Sequence, residues 1–144
     1  MKIFCDTSVL VASFVREHGH HERAMSVIRR VLAGDDVGVV SAHSLAETYA
    51  VLTTLPVLPR IGPDSAQRLV EENVAAHFEV VALTAREYAA LLRTLAQRGV
   101  VGGAVYDAVI LGAAAKAQVE RIYTFNVADF RRLSADLRDR IVAP

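Results

Sequence analysis

The fold is decided by residues 2–8, KIFCDTS, in which a short apolar run is followed directly by a carboxylate. The run Lys2–Cys5 is too short for a helix, so we predict a buried strand there. Asp6 then stands at the carboxyl end of that strand, which is the edge where parallel sheets bind their ligands. Asp6-Thr7-Ser8 is also a good N-cap for a helix, and the two roles are compatible.

Four more apolar runs of strand length follow, and they alternate with longer helical stretches. The predicted strands are Lys2–Cys5, Val37–Ser41, Phe78–Leu83, Arg121–Phe125 and Arg140–Val142. The predicted helices are His20–Leu32, His43–Leu55, Asp64–Ala76, Ala85–Gln97 and Val105–Gln118, with a short helix through Leu133. Buried strands joined by helical crossovers favour a parallel sheet covered on both faces. No repeat or linker interrupts the pattern, so we predict one three-layer α/β/α domain over residues 1–144.

The composition indicates a folded domain and excludes several classes of protein. The chain has 144 residues, of which 53% are hydrophobic, so it can fill a core and is not a disordered tail. Sixteen basic residues balance sixteen acidic ones, so no overall positive field attracts nucleic acid or an anionic membrane. The single cysteine, Cys5, excludes an intrachain disulfide and a cysteine zinc cluster. The longest apolar run, Ala108–Ala115, is too short to span a bilayer, and we expect a cytoplasmic protein without a membrane partner.

Three further carboxylates are predicted to lie at the same edge of the sheet as Asp6. Glu47 lies on the first turns of the helix after the second strand, and Asp107 lies near the start of an almost wholly apolar helix. Asp129 follows the fourth predicted strand by four residues. Unit charges about 4 to 5 Å apart repel by roughly 3 to 4 kcal/mol at an effective dielectric constant of about 20, so the cluster needs a cation. Oxygen ligands without cysteine or paired histidine select Mg²⁺ or Mn²⁺ over zinc.

Ordinary structural roles compete with this interpretation. Glu47 by itself fits a solvated helix face, and Asp129 fits a cap ahead of the short helix. Asp107 is harder to explain in this way, because its apolar neighbours leave little room for a polar helix face and a buried Asp needs a partner or a metal. Cys5 lies inside an apolar strand and is predicted to pack, not to react.

Four short motifs spread over the whole chain resemble those of a known family. They are Asp6-Thr7-Ser8, Ala46-Glu47, Tyr106-Asp107-Ala108 and the run from Tyr123 to Phe130, YTFNVADF. Together they resemble the PIN-domain family and, within it, the VapC-type toxin ribonucleases of toxin–antitoxin pairs. The resemblance implies a metal-dependent endoribonuclease in which Asp6 and Asp107 hold the principal Mg²⁺ or Mn²⁺ and Glu47 completes the acidic pocket.

The same resemblance leaves the fourth site residue open between two positions. Asn126 stands where some relatives carry a fourth Asp, whereas Asp129, three residues on, also supplies a carboxylate. Thr7, Ser8 and Thr124 resemble family hydroxyls that orient carboxylates or waters.

The resemblance also implies a reaction and partners. We expect metal-activated water to hydrolyse RNA phosphodiester bonds, leaving 5′-phosphate and 3′-hydroxyl ends. We further expect a cognate antitoxin protein that places an Arg or Lys in the acidic groove, a homodimer, and no direct DNA binding by this chain alone. The identity of the RNA is not specified by these motifs.

Two other functions fit parts of the same pattern. A non-catalytic PIN-like binding module would keep the fold, but the intact acidic set argues against it. A phosphoesterase acting on small substrates would be expected to carry an Asp-x-Asp pair after its first strand, where this chain has Asp6-Thr7-Ser8.

Basic and histidine side chains near the predicted site have two possible roles. They either contact RNA phosphates or form solvated turns and surface ion pairs. These side chains are Arg16, His18, His20, His21 and Arg23 in one segment, and Arg98, Arg131 and Arg132 elsewhere.

Overall fold

A computed structural model describes residues 1–144 and contains one five-stranded parallel sheet. Its strands are β1 (Lys2–Cys5), β2 (Val37–Ser41), β3 (Glu79–Val81), β4 (Arg121–Tyr123) and β5 (Ile141–Val142). The order β3-β2-β1-β4-β5 puts β1 in the centre, with β2 and β4 as its neighbours. All four pairings are parallel, so every strand ends at the same edge of the sheet.

Seven α-helices cover the sheet and confirm the predicted three-layer α/β/α fold. They are α1 (Thr7–Phe14), α2 (His21–Leu32), α3 (Ala42–Thr54), α4 (Pro63–Val70), α5 (Ala85–Gln97), α6 (Ala104–Lys116) and α7 (Val127–Leu133). A π-helical turn, Glu71–Ala75, continues α4, and a 3₁₀ turn, Arg138–Arg140, precedes β5. None of these helices is both long and apolar enough to cross a membrane.

Strand side chains alternate between two cores, one on each face of the sheet. Ile3 and Cys5 of β1 pack with α1 and α2, whereas Phe4 between them packs with α6 and α7. Gly38 of β2 is required by close packing, because a Cβ there would lie 2.5 Å from the ring of Phe78. The sheet is therefore fixed from both sides, and its carboxyl edge is a rigid base for polar side chains.

The structure corrects the predicted boundaries in several places. The sequence pattern indicates the N-cap of α1 at Asp6 but not the helix itself. Most residues of α1 are buried, so it lacks the polar face that identifies a surface helix. The strands predicted at Phe78–Leu83, Arg121–Phe125 and Arg140–Val142 are each shorter in the structure. At the end of β4 the cause is visible, because the backbone N–H of Phe125 donates to Ser8 Oγ and not to a strand partner. The helix predicted over 64–76 ends as an α-helix at Val70 and finishes in the π-helical turn.

Candidate active site

Asp6 is the most buried carboxylate at the carboxyl edge of the sheet, with 2% of its surface exposed. It directly follows β1 and caps α1, and its Oδ2 accepts hydrogen bonds from Ser8 N at 3.3 Å, Ser8 Oγ at 2.7 Å and Thr124 Oγ1 at 2.9 Å. Burial raises the pKa of Asp6, and the hydroxyl hydrogen bonds oppose that rise. All three of these bonds fall on Oδ2.

Thr7 presents a second polar atom at this point. Its Oγ1 is buried without a hydrogen-bond partner, and Thr7 lines the same cavity as Asp6. A buried hydroxyl without a partner is unfavourable unless a water or ligand satisfies it. Ser8 and Thr124 are thus the two hydroxyl side chains that donate to the Asp6 carboxylate, and the Thr7 hydroxyl is not one of them.

Asp107 and Glu47 approach Asp6 from two helices. Asp107 lies in the first turn of α6, and Glu47 lies on α3, where His43 Nε2 is 3.2 Å from Glu47 Oε2. Burial raises the pKa of Asp107 to about 6, with further contributions from the negative charges of Asp6, Glu47 and Asp129, while His43 opposes the rise. The carboxylates are thus close enough to repel one another.

A cavity of about 460 Å³ joins these side chains. Its polar lining includes Asp6, Glu47, Asp107 and Asn126, so four of the predicted site residues meet in one place. No group of three or more Asp, Glu, His or Cys side chains is arranged there as a ready-made metal site.

The two candidates for the fourth position, Asn126 and Asp129, line different parts of the surface around Asp107. Asn126 lines the cavity with Asp6 and Glu47, whereas Asp129 lines a neighbouring groove of about 440 Å³. Asp129 is exposed and forms an ion pair with Arg132. Asp107 borders both the cavity and the groove, which makes them one continuous surface.

A model of the PIN domain matches residues 3–136. The chain belongs to the PIN-domain family. Ribonuclease VapC40 of Mycobacterium tuberculosis (strain CDC 1551 / Oshkosh) is 39% identical over 120 residues, which cover 83% of this chain and 82% of VapC40. The expected resemblance to VapC-type proteins is therefore confirmed.

Solved structures of the same type share the fold of this PIN domain. Mycobacterium tuberculosis VapC20, described as a Sarcin-Ricin loop cleaving toxin, matches with a TM-score of 0.67 and 22% identity over 88% of this chain and 92% of that chain. VapBC2 from Rickettsia felis, in a structure bound to a DNA fragment from the VapBC2 promoter, matches with a TM-score of 0.64 and 19% identity over 92% of this chain and 93% of that chain. At these identities the likeness establishes the fold.

Sequence reasoning missed His43 at the edge of this PIN-domain site, and it gave the ring of Tyr106 no role there. His43 contacts Glu47, and its ring stacks on that of Tyr106. The spacing of His43 and Glu47, four residues apart on one helix, is a signal that could have indicated the first contact. The stacking with Tyr106 joins α3 to α6 and could not be read from either helix alone.

Proposed function

We propose that this PIN domain is a metal-dependent endoribonuclease and the toxin of a toxin–antitoxin pair. The observation that carries the proposal is the convergence of Asp6, Glu47 and Asp107 from three separate elements on one open cavity. Asp6 is almost fully buried and the pKa of Asp107 is about 6, which are properties of a site that binds positive charge. The ribonuclease names of similar VapC proteins support the same conclusion.

The side chains present suit Mg²⁺ or Mn²⁺. The cavity offers carboxylate oxygens from Asp6, Glu47 and Asp107, and Mg²⁺ is usually held by one or two carboxylates while it keeps several waters. Asp6 and Asp107 are the two carboxylates that would hold the ion, and Glu47 would add negative charge beside them. Water molecules can complete the coordination in a cavity of about 460 Å³, so three preassembled protein ligands are not required.

A bound divalent cation would neutralise the phosphodiester and activate a water for in-line attack on phosphorus. The protein's own groups fix the geometry of that reaction. Ser8 and Thr124 hold the Asp6 carboxylate in one orientation, and His43 holds Glu47. The side chain of Asn126 forms no hydrogen bond to cap α7, so its amide is free to donate to a phosphate oxygen.

The proposal includes partners and a place of action. A cognate antitoxin protein would place a basic side chain among the carboxylates. A partner of this kind is supported by the VapBC2 structure bound to promoter DNA, in which a chain has the same fold as this protein. We propose a homodimer in the cytoplasm that does not bind DNA without the antitoxin. The DNA contacts of the complex would then be made by the partner.

Cleavage of RNA by metal-stripped protein tests the proposal. We expect no cleavage in EDTA, recovery with Mg²⁺ or Mn²⁺, and loss of cleavage in Asp6→Asn and Asp107→Asn. Asp139→Asn changes an exposed carboxylate in the 3₁₀ turn and serves as the matched control, which should cleave like the unmodified protein. Full cleavage by a folded Asp107→Asn protein, or by the metal-free protein, would overturn the proposal.

A further inference from the structure

Three buried hydroxyl groups have no hydrogen-bond partner in the protein. They are Oγ1 of Thr7, Oγ of Ser44 and Oγ1 of Thr48. Ser44 and Thr48 are fully buried, and Thr7 is 4% exposed. Native proteins leave few buried polar groups without a hydrogen bond, because each such group is unfavourable. Three of them in one small domain therefore require an explanation.

Two of these hydroxyls lie on the side of α3 that faces α1. Ser44, Thr48 and Leu52 are spaced four residues apart and form one stripe along α3. Leu52 lies in the same apolar cluster as Val11 and Val15, at the far end of α1, which fixes the direction of the stripe. Ser44 and Thr48 therefore face α1 as well, and they lie nearer than Leu52 to the carboxyl edge of the sheet, where α3 begins.

The third hydroxyl lies on the matching side of α1. Thr7 is the first residue of α1, and Val11 follows it one turn later on the same side. Both residues line the acidic cavity together with Glu47 and Val51 of α3, so this side of α1 faces α3. The two helices begin at the same edge of the sheet, after the adjacent strands β1 and β2. Thr7 is therefore level with the first turns of α3, which carry the other two hydroxyls.

We propose that one internal water molecule binds Thr7, Ser44 and Thr48 and links α1 to α3 beside the acidic cavity. An internal water typically forms about three hydrogen bonds to buried polar groups that lack other partners. Each hydroxyl can both donate and accept a hydrogen bond, so three hydroxyls satisfy one water. The contact between the two helices is thus polar near the site and apolar farther along, where Leu52 packs.

This water positions two of the site carboxylates relative to each other. Asp6 caps α1 and directly precedes Thr7, and Glu47 directly precedes Thr48 on α3. The spacing of α1 and α3 therefore sets the spacing of the Asp6 and Glu47 carboxylates. Ser44 and Thr48 do not line the cavity, so they act as positioning residues and not as catalytic ones. This role in the reaction rests on the proposed ribonuclease function, whereas the water site itself does not.

Thermal unfolding in EDTA tests the water site without any cleavage. Thr48→Val replaces the hydroxyl by a methyl group of similar size and should lower the melting temperature by about 3 °C, because the water loses a partner. Thr7→Val and Ser44→Ala should each lower it too. The triple variant should lose less than the sum of the three single losses, because the shared water is lost only once.

A matched control lies on the same helix. The hydroxyl of Thr53 donates to carbonyl oxygens of α3 itself, so Thr53→Val should change the melting temperature by less than about 1 °C. A rise in the melting temperature of Thr48→Val would show that its hydroxyl has no ligand and would overturn the inference. Strictly additive losses would also overturn it, because the hydroxyls would then share no ligand. A crystal structure should show one water within about 3 Å of all three oxygens.

The kinetics of RNA cleavage test the positioning role. Thr48→Val should lower kcat about 10-fold while the KM for RNA stays unchanged, and Thr48→Ser, which keeps the hydroxyl, should restore kcat. An unchanged kcat in Thr48→Val would overturn the positioning role. Absence of cleavage by the unmodified protein would instead contradict the proposed function alone, because the melting experiment still decides whether the water binds.

Discussion

Replacing Asp107 by Asn should make the metal-free protein more stable at neutral pH. The pKa of Asp107 is raised from 3.8 to about 6 by burial and by Asp6, Glu47 and Asp129. At about 1.4 kcal/mol for each tenfold change in proton affinity, this rise corresponds to at most about 3 kcal/mol. The side chain is partly exposed and solvent screens its charge, so we expect the substitution to stabilise the protein by half of that bound, ~1.5 kcal/mol.

The sign of this effect depends on pH. A carboxyl whose pKa is raised on folding favours the folded state below its unfolded pKa, and that contribution is lost as the pH rises through the folded pKa. The stability advantage of the Asp107→Asn protein over the unmodified protein should therefore grow between about pH 4 and pH 6. It should reach its full size by pH 7.5. At ~3 °C per kcal/mol for a domain of this size, the expected rise in melting temperature is about 5 °C.

Thermal unfolding in EDTA, followed by circular dichroism at pH 4 and pH 7.5, measures this difference. The two proteins should melt together at pH 4 and separately at pH 7.5. Adding millimolar Mn²⁺ should raise the midpoint of the unmodified protein more than that of Asp107→Asn, since the ion loses one ligand in the variant. If Asp107→Asn melts no higher at pH 7.5 in EDTA, the carboxylates do not repel one another and the cluster is not a cation site.

Three further predictions concern neighbouring residues. Thr124→Val removes a hydrogen bond to Asp6 and should therefore raise the pKa of Asp6. The acidic limb of the pH–cleavage profile should move to higher pH, and an unchanged profile would contradict this. Asn126→Ala should lower RNA cleavage more than Asp129→Ala does, because Asn126 lines the cavity with Asp6 whereas Asp129 pairs with Arg132. A larger loss of cleavage in Asp129→Ala would make Asp129 the site residue. Gly38→Ala should destabilise the fold by about 1 to 3 kcal/mol in urea denaturation, because its Cβ would meet Phe78 at 2.5 Å; an unchanged midpoint would show that this contact relaxes freely.

The central strands and the meeting of three carboxylates could be predicted from the sequence. β1 and β2 have the predicted bounds, because their apolar runs are short and end in Asp6 and Ser41, which cap the helices that follow. Once the strands are parallel, the residues that follow them share one edge of the sheet. This topological rule needs no knowledge of side-chain packing, which explains why it sufficed for Asp6 and Glu47. Asp107 follows α5 and not a strand, and it was indicated instead by its apolar neighbours in α6.

The remaining features depend on tertiary contacts that local patterns do not contain. α1 is buried over most of its length, so it lacks the alternation that identifies a surface helix. Asn126 and Asp129 lie on either side of the start of α7, and only the direction of that helix decides which one enters the cavity. The stacking of His43 on Tyr106 joins residues 63 positions apart in the chain and arises only when α3 and α6 pack together.

The chemical ends left on cleaved RNA test the central claim most directly. If Asp6 and Asp107 hold an ion that activates water, as proposed, hydrolysis would leave a 5′-phosphate and a 3′-hydroxyl, because water would attack phosphorus and the 3′ oxygen would leave. Mass spectrometry of the products of a short RNA substrate, cleaved with Mg²⁺ by the purified protein, distinguishes these ends. We predict 5′-phosphate and 3′-hydroxyl products that are absent for Asp6→Asn. Products that carry a 2′,3′-cyclic phosphate and a 5′-hydroxyl would show that the RNA's own 2′-hydroxyl attacks, and would contradict the account.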